Sequence, residues 1–232
     1  MKCKVVSVVG LIGSGKTTLS RELAQALGAL WLSEPDEKED RNPFLADYYA
    51  DPTRWAFSLQ IHMLGMRLRQ QLHAQWHAMN GEGHAVLDSS YWQDTAFARL
   101  QLKGGMMTER EFGTYSSIYH AMTAGVLLPS VCVRVLASPE VCERRVAKRM
   151  EQETGRKCEE AISLDYLRGL EQEIDHMVSV LRGMGVQVLD VAWDVDRDTP
   201  ELRQQAVEAL ASRITALNPP DLFLDMHRRA IL

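Results

Sequence analysis

Eight residues near the start of the chain carry the clearest chemistry. Gly10-Leu11-Ile12-Gly13-Ser14-Gly15-Lys16-Thr17 reads G-x-x-x-x-G-K-T, directly after the apolar run Val5-Val6-Ser7-Val8-Val9. An amphipathic pattern with Leu19, Leu23, Ala26 and Leu27 follows it. A loop of this kind, set between a buried strand and a helix, points backbone N–H groups at a phosphate chain. It aims the lysine at the outer phosphates and the threonine hydroxyl at Mg²⁺. The stretch from Gly10 through Thr18 is therefore expected to hold a nucleoside triphosphate.

Such a loop does not separate kinases from GTPases or motor ATPases. Phosphoryl transfer also needs a metal-holding carboxylate, cations that spread transition-state charge, and a group that orients the attacking oxygen. Asp88 ends the apolar run Ala85-Val86-Leu87. An aspartate there can hold Mg²⁺ directly or through water, or cap the next helix. Glu34, in Ser33-Glu34-Pro35, closes another apolar run; it suits a base for an acceptor hydroxyl and equally a solvated loop. Arg144, Arg145, Lys148, Arg149 and Arg156 crowd one stretch, with Arg145 and Arg149 four apart on one helix face. The stretch then loosens into Glu151-Gln152-Glu153-Thr154-Gly155-Arg156, a lid pattern that can carry arginines over a transferring phosphate. Gln60 and Arg67 are seven apart, two helical turns, and stack on one side. An amide there can read the edge of a base, or sit on the surface as an ordinary polar group. Trp55, Phe57, Leu64, Leu68 and Leu72 read as core, the histidines as structural, and Met106-Met107 as a loop and helix start.

These residues need a scaffold, and the hydrophobic pattern supplies one. Short apolar runs alternate with long helical stretches, as in a doubly wound parallel α/β sheet of five strands with helices on both faces. Strands are expected at Lys4–Val9, Ala29–Leu32, His84–Leu87, Val131–Leu136 and Gln187–Val191, each apolar enough to be buried on both faces. Helices are expected over Lys16–Leu27, Thr53–Met79, Asp94–Leu102, Thr108–Ala124, Glu140–Met150, Leu164–Arg182 and Pro200–Leu217. Ser138 and Thr199 precede Pro139 and Pro200 as caps. In such a sheet the carboxyl ends of the strands face the ligand crevice. One domain over residues 1–217, with a lid at about 145–162 and a tail over 218–232, fits a chain of 232 residues.

Composition sets the outer limits. The chain is 46% hydrophobic and 25% charged, and no apolar stretch reaches the 18 or more residues that span a membrane. Met1-Lys2-Cys3-Lys4 runs straight into the first strand, which leaves no room for a signal peptide. Four scattered cysteines form no metal-ligand cluster, so reduced thiols in a cytoplasmic setting (a host cytoplasm for a viral chain) are expected. A net charge of −5 supplies no bulk attraction to nucleic acid.

With these residues assembled, the chain resembles the deoxynucleoside kinase family from about Val5 to Val191. Beyond the phosphate loop, the stretch Asn42-Pro43-Phe44-Leu45 through Tyr49-Ala50-Asp51-Pro52-Thr53-Arg54-Trp55-Ala56-Phe57-Ser58-Leu59-Gln60 is similar to that family's substrate-binding helices in order and spacing. The resemblance implies a P-loop kinase fold with an arginine-bearing lid, using ATP and Mg²⁺. It implies Glu34 as base and Arg145, Arg149 and Arg156 as lid arginines. Tyr49 and Glu159 would surround the sugar 3′-hydroxyl, and Gln60, Arg67 and Asp94 the base; loop Asp190 to Asp198 would lie near the adenine of ATP.

Two departures from the family pattern stand out. After the third strand the family carries an acidic residue, Arg, then Ser or Thr; here the residues are Asp88-Ser89-Ser90. Losing a charged hydrogen bond of about 1.5–3 kcal/mol lowers a rate roughly ten- to a hundredfold unless another group replaces it. The lid also has extra residues, Glu151 to Thr154. Phosphate transfer to the 5′-hydroxyl of a free deoxynucleoside is the leading reading. The alternatives are a deoxynucleoside monophosphate, the hydroxymethyl group of a modified pyrimidine within DNA, and a nucleotide-binding regulator without catalysis. Oligomeric state stays open, with the helices from Thr53 and Thr108 available to pair across a homodimer.

Overall fold

The computed structural model describes residues 3–33, 42–152, 159–160, 162–194 and 200–217. Within them the chain alternates strands and helices. The order is β1 Val5–Gly10, α1 Lys16–Leu27, β2 Leu30–Leu32, α2 Leu45–Ala50, α3 Pro52–Met79, β3 Ala85–Asp88 and α4 Tyr91–Lys103. It continues with α5 Glu109–Thr123, β4 Val131–Leu136, α6 Pro139–Gln152, α7 Leu164–Gly183, β5 Gln187–Ala192 and α8 Pro200–Ala216.

The five strands form one sheet in the order β2-β3-β1-β4-β5, and every pairing is parallel. Side chains of a strand alternate between faces, and β1 divides accordingly. Val6 and Val8 pack with Leu19 and Leu23 of α1 and Leu210 of α8. Val9 joins the opposite cluster with Leu64 of α3, Ala96 of α4 and Leu170 of α7. Helices thus cover both faces, as the run pattern implies.

Burial on both faces holds for β1 and β3 but not for the sheet edges. All three residues of β2 are only half-buried, and β5 alternates exposed and covered positions. Local apolarity does not reveal sheet order, and an edge strand has only one strand beside it. Leu72, expected in the core, lies on the outer face of α3 at 37% exposure. The short helix α2 was not anticipated, and α4 begins three residues before the expected Asp94.

Candidate active site

The phosphate loop forms the turn from β1 into α1. Gly13 and Gly15 adopt left-handed backbone angles, φ 78° and 94°, and both are tightly covered. A Cβ on Gly13 would lie 2.7 Å from the Cys142 carbonyl, and one on Gly15 would lie 2.8 Å from Nε1 of Trp193. Only glycine meets both demands at little cost. Helix α1 starts at Gly15 with no side-chain cap and no acidic residue in its first turn. By contrast Asp51, Ser90, Thr108 and Ser163 cap α3, α4, α5 and α7. An uncapped helix start leaves N–H donors and a partial positive charge directed at the crevice, the requirement for binding an anion. Lys16 is buried and donates from Nζ to the Leu11 carbonyl at 2.8 Å.

A cavity of 610 Å³ opens beside this loop at the carboxyl ends of the central strands. Ile12, Gly13, Gly15, Lys16, Thr17 and Thr18 line one part of it, Asp88 its floor, Arg145 and Arg149 a side, and Tyr49, Gln60 and Arg67 the far wall. Part of the expected donor set and the acceptor residues Tyr49, Gln60 and Arg67 therefore line one space. Gly10, Leu11 and Ser14 support the loop from outside the lining, and Asp94 and Glu159 stand behind it.

The reading of Asp88 as a helix cap is set aside. Ser90 caps α4, its hydroxyl accepting from the Trp92 N–H at 3.2 Å. Asp88 is 1% exposed and lines the cavity, as does the Thr17 hydroxyl-bearing side chain. Between Asp88 and Ser90 in the chain lies Ser89, where the family pattern has arginine. Its φ of 83° is the only positive value on a non-glycine among the described residues, and its buried hydroxyl has no hydrogen-bond partner among them. Ser89 does not line the cavity.

Two ion pairs stand at the cavity walls. Arg67 on α3 binds Asp94 on α4, with side chains 6% and 0% exposed, and its guanidinium lies 5.8 Å from the ring centre of Phe97. Arg149 on α6 holds Glu159 through two nitrogens, with Nε at 3.1 Å. Arg145, which lines the cavity beside Arg149, also reaches backbone. It donates to the Ser14 carbonyl at 3.3 Å and the Trp193 carbonyl at 2.9 Å, tying the phosphate loop to the segment after β5. That segment is further held by Asp194, which accepts from the Ser138 N–H at 2.6 Å; this bond, with the Ser138 hydroxyl and nearby arginines, holds its carboxyl below the usual range.

Glu34, Arg156, Thr199 and the tail over 218–232 lie outside the described residues, as do 195–198 of the expected adenine loop. Ser33, immediately before Glu34, lines the cavity, and its carbonyl accepts from the Gln70 side chain of α3.

The sequence reading gave no role to several wall residues. Tyr48, Gln93, Phe97, Gln101 and Tyr166 also line the cavity, as does Asn42 of the expected substrate-binding stretch. Burial pushes the Tyr48 hydroxyl above its ordinary pKa, against hydrogen bonds from Gln101 and Tyr166 that draw it down. Amide oxygens of Asn42, Gln60 and Gln101 are buried with no hydrogen-bond partner among the described residues. Buried polar groups of this kind are expected to be satisfied, so the wall is prepared for a polar ligand. One signal was available: Asp94, Phe97 and Gln101 recur at helical spacing on one face of α4.

The deoxynucleoside kinase family model matches residues 6–215. Deoxyadenosine kinase of Dictyostelium discoideum is 29% identical over 217 residues, 93% of this chain and 83% of that protein. Deoxyadenosine/deoxycytidine kinase of Bacillus subtilis (strain 168) is 29% identical over 215 residues, 92% and 94% of the two chains. Among solved structures, deoxyadenosine kinase from M. mycoides with bound dCTP superposes with a TM-score of 0.74 at 20% identity, covering 92% of this chain and all of that one. The same enzyme with bound dATP gives 0.73. A match over nearly the whole domain, on a fold whose loop, cavity and arginines converge in this way, means that the chain belongs to the deoxynucleoside kinase family and is a phosphotransferase with an alcohol group as acceptor.

Proposed function

We propose that the chain transfers the γ-phosphate of ATP to the 5′-hydroxyl of a free deoxynucleoside. The observation that carries this is the single cavity joining the uncapped start of α1 to the Gln60–Arg67 wall. Donor phosphates rest on the amides from Gly13 to Thr18, with Lys16 on the outer ones. The base of the acceptor meets the Gln60 amide and the Arg67–Asp94 pair beside Phe97, and its sugar meets Tyr49 and Glu159. Glu34 then takes the proton from the 5′-oxygen as that oxygen bonds to the γ-phosphorus. The bond from phosphorus to the bridging oxygen breaks and ADP leaves, with Arg149 and Arg156 offsetting the charge that develops.

Mg²⁺ fits the donor set at this place. Asp88 and Thr17 offer hard oxygen ligands on the same cavity, and no cluster of three or more His, Cys, Asp or Glu forms a closed cage among the described residues. A few protein oxygens plus phosphate and water are what Mg²⁺ prefers. When bound there, the ion would neutralise phosphate charge and align the chain.

No observation favours an acceptor within DNA or a nucleoside monophosphate. The named relatives act on deoxyadenosine, deoxyguanosine and deoxycytidine, and the acceptor here is taken to be of that class. Free Cys3, Cys132 and Cys142 suit a reducing cytosol, and no described helix is long and apolar enough to cross a membrane. A homodimer through α3 and α5 would cover Leu72, Trp76, Met79 and Met122, all exposed; light scattering on the purified chain tests it.

The proposed base is tested by Glu34→Gln. Turnover should fall by at least about a hundredfold, in line with general base catalysis, while ATP affinity stays within about twofold of the unaltered chain. A fully active Glu34→Gln protein removes Glu34 from the mechanism.

A further inference from the structure

Strand β3 stops pairing one step too early for its neighbour. Its last partner in β1 is Val8, opposite Asp88, and the chain then turns through Ser89 into α4. The Ser89 N–H still bonds the Val8 carbonyl at 3.0 Å. Two residues further on, Gly10 presents its N–H and carbonyl on the same side, where no strand remains to receive them.

The Gln93 side chain fills that place. Its Oε1 accepts from the Gly10 N–H at 3.1 Å and its Nε2 donates to the Gly10 carbonyl, also at 3.1 Å. A primary amide has the donor and acceptor of a peptide group, so it completes the ladder as a strand would. Pairing with both backbone groups also fixes which way the amide points. Gln93 is 1% exposed, lines the cavity, and stands one residue before Asp94, the partner of Arg67. Its own N–H bonds the carbonyl of the cap residue Ser90 at 2.9 Å, so the first turn of α4 is held at both ends.

We infer that Gln93 is a positioning residue for phosphate transfer, acting through Gly10 to hold the phosphate loop in register with the acceptor wall on α4. The inference rests on the reading of that loop as the seat of ATP. Gly10 leads directly into the loop, and any tilt of α4 that accompanies acceptor binding at Arg67–Asp94 reaches the loop through this amide.

The test is ATP binding by calorimetry, with Mg²⁺ and without acceptor, on the full chain and on Gln93→Met and Gln93→Glu. Methionine keeps the volume and removes both bonds; affinity should fall about tenfold, as expected for two neutral hydrogen bonds. Glutamate should weaken binding similarly at pH 8, where its carboxylate faces the Gly10 carbonyl. Toward pH 6 it should recover relative to the unaltered chain measured alongside, because a protonated carboxyl donates and accepts as the amide does. Melting temperatures are recorded in parallel, and if Gln93→Met does not fold the pH profile of Gln93→Glu decides. Variants that bind ATP as the unaltered chain does, or a Gln93→Glu defect that ignores pH, overturn the inference while leaving the functional reading intact. An unaltered chain that does not bind ATP overturns both.

Discussion

Arg149, which lines the cavity, and Glu159 behind it form one unit: two guanidinium nitrogens hold a carboxylate that is 2% exposed, while the arginine itself remains 29% exposed. In the proposed mechanism the carboxylate holds the sugar and the arginine faces phosphate, so the two sites share a charge pair. Removing either partner should raise KM for the deoxynucleoside and lower kcat together. A double-mutant cycle with Arg149→Ala and Glu159→Ala should show coupling of about 0.5–3 kcal/mol in kcat/KM, the range for directly bonded residues. Additive effects would mean that the pair does not act in the reaction.

Arg67 and Asp94 present the opposite case, a fully buried pair. Asp94→Ala takes the Asp94 carboxylate away from a buried guanidinium and should cost about 3–5 kcal/mol of stability by urea unfolding. Asp94→Asn keeps hydrogen-bonding capacity and should cost less while still raising KM for the deoxynucleoside. Equal stability losses for the two variants would contradict this account.

Glu173 sets an acid limit on the fold. Burial raises its carboxyl pKa, but hydrogen bonds from Lys103 and Arg99 outweigh that and hold it below the usual value. Arg99 Nε lies at 2.8 Å, and the pair ties α4 to α7. A depressed folded pKa contributes stability that is present above the unfolded value, about 4.3. That stability is lost as pH falls through the lower folded value. Melting temperature should therefore drop between pH 5 and acid in the unaltered chain and fall less steeply in Glu173→Gln. Parallel pH curves would show that Glu173 contributes nothing.

Ser89 holds a backbone shape that glycine adopts freely, and its hydroxyl is buried with no hydrogen bond among the described residues. Relief of left-handed strain, about 1–2 kcal/mol, outweighs the added freedom of glycine in the unfolded chain, about 0.4–1 kcal/mol. Ser89→Gly should raise the melting temperature by about 1–3 °C. A lower melting temperature would mean that the serine is not strained.

Much of this architecture is legible in the residue order. All five strands and seven of the helices fall close to their expected limits, because each run carries its own periodicity. Helix α2 escaped notice since six residues containing Tyr48-Tyr49 are too few to establish a period. The exposure of β2 and β5 depends on their place at the sheet edges, which local composition does not encode. The phosphate loop was readable because its chemistry is contiguous. Gln93 and Gln101 were not, because a polar residue on a helix declares its role only when distant chain, here Gly10 and Tyr48, arrives beside it. Arg145, expected as a lid arginine, lines the cavity, and its bonds to the Ser14 and Trp193 carbonyls could not be read from residue order.

Phosphate transfer from ATP seated at Lys16 to an alcohol across the cavity is most directly tested with γ-labelled ATP. The chain is offered the four deoxynucleosides, their monophosphates and an oligonucleotide containing hydroxymethyluracil, alongside Lys16→Ala. Label should appear as a deoxynucleoside 5′-monophosphate, and Lys16→Ala should reduce it by at least about a hundredfold. Label confined to the oligonucleotide or to a diphosphate, or none from a chain that binds ATP, would contradict the account.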